Sequence, residues 1–226
     1  MLTLTFHGHS CFVIEGDGRR VIIDPFITGN PAADIKLDQL PKVDAVLLSH
    51  GHGDHLGDAV AISKRDGALV VATYELASFC ESKGAKVHAL HIGGSRQFPF
   101  GRVKLVPAFH GGAIEGDDGS HTTAPAGVVL TMAGTTVYHT GDTALTMEMK
   151  LLESRVDVML VPIGDNYTMG IEDAARAVEF VRPQIVIPMH YNTFDVIKAD
   201  PEAFKRKVGN QSDVVILAPG QSIQRT

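Results

Sequence analysis

A chain of 226 residues, 44% apolar and 20% charged, is long enough to bury roughly 70% of its unfolded surface, and its composition is neither disordered nor repetitive. Twenty Lys and Arg against 26 Asp and Glu give a net charge of −6 without a basic run, which argues against an extended nucleic-acid footprint and for a small-molecule partner. The two cysteines, Cys11 and Cys80, form no C-x-x-C pair, so neither a disulfide framework nor a thiolate zinc site is suggested.

The first runs, LTLTF (2–6), CFVIE (11–15) and RVIID (20–24), are β-rich, with GDG at 16–18 as hairpin chemistry, and predict a small meander. VDAVLLS (43–49) is a continuous apolar run of the kind buried on both faces, followed by helical spacing over 57–67. The alternation repeats with a strand at 69–72, a helix at 74–84 and a strand at 86–90, after which RVKLVPAFH (102–110) reads as a strand ending in histidine. Residues 111–127, rich in Gly, Asp and Ser/Thr, read as a long functional loop. The second half gives strands at 127–134, 135–142, 156–165 and 184–190, with helices predicted over 146–155 and 172–181. A helix at 201–209 and the run 214–220 close the chain, and no linker divides it, so one domain of mixed sheets covered by helices is expected over 1–226. No basic segment leads into an apolar one at MLTLTFHGHS and no apolar stretch is long enough to span a bilayer, so a cytoplasmic protein is expected. A homo-oligomer is left open.

SHGHGDHLGD (49–58) lies between the predicted strand and helix. Neutral imidazoles with a carboxylate suit zinc, and also iron or manganese. Residues two apart on an extended loop point the same way, so His50 and His52 can share one ion while Asp54 and His55 face another position; Gly51 and Gly53 make positive φ available. The plain alternative is a polar loop in which Asp54 caps the helix. Four residues hold one or two ions only partly, and the chain supplies further ligands at other strand ends: His110, Asp142 in TGD, and His190 after QIVIPM.

HGHGDH, then a strand-end His, TGD and another strand-end His resemble the metallo-β-lactamase superfamily from about residue 7 to residue 194. The resemblance implies a four-layer αββα sandwich with two mixed sheets. It implies two divalent ions, Zn2+ with Mn2+ or Fe2+ as alternatives: His50, His52 and His110 on one, Asp54, His55 and His190 on the second, Asp142 bridging. Hydroxide shared by the ions would cleave an ester, lactone, thioester or phosphodiester, with Asp54 also accepting a proton. The Asp of TGD is similar to the glyoxalase II, ribonuclease Z and lactonase branches rather than to the secreted β-lactamases. The intact His52 departs from flavodiiron relatives, and the short acidic chain departs from ribonuclease Z. HGHSCFVI (7–14), IIDPFITGNP (22–31), HIGG (91–94), PIGDNYTMG (162–170) and PMHYNTF (188–194) resemble an uncharacterised family of metal-dependent hydrolases related to ascorbate-6-phosphate lactonase. A mononuclear iron thiol or persulfide dioxygenase of the same fold and a non-catalytic metal-binding module remain as alternatives.

Around these ligands, His9 and His139 are read as groups that orient a ligand or protonate a leaving group, or as satisfied structural histidines. Asp24 and Asp165 are candidate acceptors for a ligand histidine, with turn or loop chemistry as the alternative. His121 is placed within reach of substrate, His7 and Tyr191 rank lower, His88 and His91 are left unassigned, and Cys11 is read as packing rather than as a nucleophile.

Overall fold

The computed structural model describes residues 1–116 and 119–225, and Asp117 and Asp118 of the predicted 111–127 loop lie outside the described residues. Six strands open the chain: β1 (Leu2–Phe6), β2 (Phe12–Gly16), β3 (Arg19–Ile23), β4 (Ala45–Leu47), β5 (Leu69–Thr73) and β6 (Lys86–Leu90). The first three pair antiparallel as the predicted meander, and β3 to β6 continue in parallel. Between the parallel strands run α1 (Gly53–Leu56), α2 (Ala59–Asp66) and α3 (Tyr74–Ser82), as the crossovers of a parallel sheet require.

The second half holds β7 (Ser95–Phe98), β8 (Gly101–Pro107), the hairpin β9 (Ala113–Gly116) and β10 (Gly119–Thr122), β11 (Ala126–Met132), β12 (Thr135–His139), β13 (Val158–Pro162), β14 (Ile185–Met189), β15 (Asp213–Val214) and β16 (Ser222–Arg225). The second sheet has the order β15-β14-β13-β12-β11-β8-β7, while β16 returns to the outer edge of the first sheet beside β1. The α4 helix (Ile171–Val181) and α5 (Pro201–Val208) cover the second sheet.

Side-chain alternation explains the layering. In β13, Val158 and Leu160 join the core between the sheets while Met159 and Val161 face α4 and α5. In β3, Val21 and Ile23 enter the same inter-sheet core and Ile22 packs under α2 and α3. Strands buried on both faces read as continuous apolar runs, and two such sheets stacked between helices make the αββα sandwich.

Four local expectations are corrected. Residues 111–127 are not a structureless loop: β9 and β10 pair in register from Ala113 with Thr122 to Gly116 with Gly119. The 146–155 helix is a 3-10 segment over Met147–Leu152, whose two buried residues, Met149 and Leu152, are three apart, the period of that tighter helix. The strand read as ending in His110 stops at Pro107, which cannot donate to a ladder. Gly51 and Gly53 do not use positive φ; Gly51 is needed for close approach, since a Cβ there would sit 2.4 Å from Ile114 Cγ1. Gly51→Ala is therefore expected to destabilise the fold by about 1–3 kcal/mol through overpacking. Urea unfolding checks this, and an unchanged midpoint would show that the hairpin yields freely.

Candidate metal centre

The centre forms where the loops after β3, β4, β8, β12 and β14 meet. His52 is the N-terminal boundary residue of α1, so the helix starts inside HGHGDH and carries Asp54 and His55 on its single turn. Asp54 does not cap that helix. Its Oδ2 lies 3.1 Å from His9 Nε2, and its side chain keeps 30% exposure.

All seven predicted ligands come together. One ligand atom each from His50, His52 and His110 lie within 4.8 Å of one another, as do atoms of His50, His55 and Asp142, and of His9, Asp54, His55 and His190. His9 thus joins the group at the second position. The spacings are short: His50 Nε2 to His52 Nδ1 is 3.0 Å, and Asp142 Oδ2 lies 3.0 Å from His190 Nε2, 3.3 Å from His55 Nε2 and 3.5 Å from His110 Nε2. A tetrahedral ion with bonds of ~2.0–2.1 Å sets its donor atoms roughly 3.3 Å apart.

Asp24 is the hub beneath them. Fully buried, it accepts from Ser49 N at 2.8 Å, from Ser49 Oγ at 2.5 Å and from His55 Nδ1 at 2.7 Å. Because the Ser49 hydroxyl proton is committed to Asp24, Ser49 Oγ accepts from His50 Nδ1 at 2.9 Å. One carboxylate therefore fixes two imidazoles, each with its Nε2 lone pair turned into the centre. Sequence reasoning missed Ser49, although a hydroxyl directly before a candidate ligand histidine is where such a relay would sit.

Burial opposes ionisation of Asp142, but the charges of His55 and His190 hold its carboxyl well below the usual range. Burial likewise works against the His55 cation, and Asp142 and Asp24 override it to push its pKa well above the ordinary value. His50 is pushed well below by burial and by His55, and His110 is lowered by burial. For His9, burial outweighs the hydrogen bond to Asp54 and brings the pKa down to about 4.

His9, Asp24 and His190 all have left-handed backbones, with φ of 57°, 46° and 53°. Each costs strain that the surrounding loops overcome. His190 N donates to His9 O at 2.8 Å, and a Cβ at Gly164 would lie 2.2 Å from His190 O, so that glycine admits the turn. Thr193 Oγ1 meets His9 Nδ1 at 2.9 Å, a contact 184 residues apart that no local pattern announces. Gly57 and Asp58 lock the other side: Asp58 N donates to Pro25 O, and the Asp58 carboxylate accepts from Thr28 N at 2.8 Å.

Other candidates fall elsewhere. His139 is fully buried with both nitrogens engaged by backbone: Nε2 donates to Ser10 O at 2.9 Å and Nδ1 accepts from Gly141 N at 3.1 Å. The proton-donor reading is replaced by one in which it fixes the TGD turn. Asp165 is exposed, and its carboxylate accepts from Asn166 N in its own loop rather than from a ligand histidine. His7 Nδ1 donates to Asp34 at 2.8 Å, half-buried Tyr191 packs on the α4–α5 side, and His121 lies on β10 against Phe79. Cys11 is buried, and burial raises its thiol pKa well above normal, as a packing residue should have it.

A family model described as "Beta-lactamase superfamily domain" matches residues 3–190. A "UPF0173 metal-dependent hydrolase" of Heliobacterium modesticaldum is 49% identical over 232 residues, covering 99% of this chain and 97% of the relative. Another, of Bacillus cytotoxicus, is 50% identical over 227 residues and covers 98% and 99%. The chain belongs to the UPF0173 metal-dependent hydrolase family of the beta-lactamase superfamily. A solved member of the same fold, the metallo hydrolase Igni18 of Ignicoccus hospitalis, superposes with a TM-score of 0.89 at 38% identity over 98% of this chain and 97% of that one. For a UPF0173 chain the loops that carry these histidines and aspartates thus stand on the superfamily sandwich. No helix is long and apolar enough to cross a membrane among the described residues.

Proposed function

We propose that the centre holds two divalent metal ions, zinc with manganese or iron as alternatives, and hydrolyses an ester, lactone, thioester or phosphodiester of a small molecule in the cytoplasm. The observation that carries this is a group of buried polar atoms with no well-aligned hydrogen-bond partner among the described residues: His55 Nε2, Asp142 Oδ1 and both ring nitrogens of His190. Each such atom costs about 1–3 kcal/mol if left unpaired, and here they converge with five other donor groups on one point of the fold. A donor set of imidazoles and carboxylates is the chemistry that zinc, iron and manganese take.

His50, His52 and His110 would hold one ion and Asp54, His55 and His190 the other, with Asp142 between them. Ions held there would supply Lewis acidity and would lower the pKa of a water towards about 7. The protein's residues do the rest. Asp24 keeps the Nε2 atoms of His50 and His55 aimed inward, directly or through Ser49. Asp54, the carboxylate open at the mouth, takes the proton of the attacking water. His9 lies against Asp54 Oδ2, and burial keeps it neutral near pH 7, so it can receive that proton and return it to the leaving oxygen or sulfur. The new bond joins water oxygen to the acyl carbon or phosphorus, and the bond to the leaving atom breaks.

Dialysis against a chelator is expected to remove turnover of a lactone, thioester and phosphodiester panel, and added Zn2+ or Mn2+ to restore it. Undiminished turnover by verified metal-free protein would overturn the reading.

A further inference from the structure

We infer that the cleft between α1 and the β9–β10 hairpin is the acyl subsite, and that the substrate is a neutral carboxylic ester or lactone with a short apolar acyl chain; this rests on the hydrolase reading above. The cleft has a volume of about 330 Å3 and is lined by Gly51, His52, Gly53, Leu56, Ala113 and Ile114. One wall is therefore a proposed metal-ligating imidazole and the others are aliphatic or bare backbone. The volume is at the small end of the ~300–1,000 Å3 range of small-molecule sites, which suits a short chain rather than a lipid tail.

The cleft is held in place. Ile114 fills the space beside Gly51, Thr123 N donates to Gly112 O at 2.9 Å, and Ala126 N donates to Ser49 O at 2.9 Å, which ties the hairpin base to the ligand loop. A pocket formed before binding spends little on ordering. The opposite flank is apolar too: the rings of Phe26 and Phe194 lie 5.7 and 5.6 Å from the ring of His9. A substrate lying from His52 to His9 meets apolar surface on both sides of its reacting group. Charged flanks, as in a sugar phosphate, would be desolvated there without a cationic partner among the described lining residues.

Gly53 offers the test, because a Cβ built there has nothing within 4 Å and Gly53 does not use positive φ. With p-nitrophenyl acetate, butyrate, hexanoate and decanoate and with bis(p-nitrophenyl) phosphate, kcat/KM of the metal-loaded protein is expected to rise about fourfold per methylene up to hexanoate and to fall at decanoate. Gly53→Val, which fills the cleft, is expected to cut the hexanoate-to-acetate ratio at least about tenfold. Leu56→Ala, which widens it, is expected to raise the decanoate-to-acetate ratio by a similar factor. Ratios unchanged in both variants, or faster turnover of the phosphodiester than of every ester, would overturn the subsite. No turnover of any of the five would instead count against the hydrolase reading, and a titration independent of catalysis then decides the cleft. Hexanoate should shift the methyl resonances of Leu56 and Ile114 in the wild type and not in Gly53→Val, whereas inorganic phosphate should not. Hexanoate leaving those methyls unmoved would overturn the subsite whether or not the protein is active.

Discussion

Replacing Asp142 by alanine is expected to lower kcat/KM by at least about 10³-fold and to lower metal content with it. Its Oδ2 lies close to three imidazoles, at 3.0 Å from His190, 3.3 Å from His55 and 3.5 Å from His110, so its loss touches both halves of the proposed centre at once. Removal of a single preorganised polar group from an active site costs ~10²–10³ in rate, and a group serving two ions should cost no less. Asp142 is also, with Asp24, the charge that raises the pKa of His55 against its burial, so the metal-free variant leaves that imidazole with Asp24 alone. Asp142→Asn keeps the volume, and because one amide oxygen remains to accept, it should retain more metal than the alanine variant. Elemental analysis and kinetics on the same preparation read both effects. Full turnover by a metal-free Asp142→Ala protein would remove the carboxylate from any role in the chemistry.

Asp24→Ala is expected to act on stability and on metal together, although Asp24 itself is fully buried. Three donors lose their acceptor at once: Ser49 N, Ser49 Oγ and His55 Nδ1, all in a site with no solvent exposure. Breaking a buried pair in this way costs about 3–5 kcal/mol. The two imidazoles also lose the partner that fixes their tautomers, for which a 10–100-fold loss in metal affinity is the usual scale. The stability and affinity losses are separable. Asp24→Asn preserves one acceptor oxygen and the packing volume, so it should recover most of the unfolding free energy but not the metal affinity, because its NH2 group opposes the His55 Nδ1 proton. Recovery of both by asparagine would mean that Asp24 only fills space. Denaturant midpoints measured with and without metal, beside a competition titration with a chelator, distinguish the outcomes.

Much of the architecture was legible because burial on two faces writes itself into continuous apolar runs. Residues 43–49, 156–163 and 184–189 are such runs, and each leads into a loop of the candidate centre or one that supports it. The candidate ligands were legible as a set because a metal site would need rare residue types near strand ends, and His50, His52, Asp54, His55, His110, Asp142 and His190 lie close together in the fold. What escaped is of a different kind. The strands Ser95–Phe98 and Ser222–Arg225 lie on sheet edges, where few side chains are buried and polar sequence hides them. The β9–β10 hairpin is glycine-rich and polar, so composition announced a loop while backbone pairing made a ladder. The roles of Ser49, Thr193 and Gly164 depend on contacts between distant loops. His139 shows the converse: a histidine three residues before the TGD aspartate looks chemical in sequence, and backbone partners on both nitrogens use it up.

The central claim is that this cluster is a two-ion centre, and elemental analysis of the purified, metal-reconstituted protein tests it most directly. Two divalent ions per chain are expected in the wild type, falling in parallel with turnover in Asp142→Ala. A wild-type protein that retains full hydrolytic activity with no stoichiometric metal would contradict it.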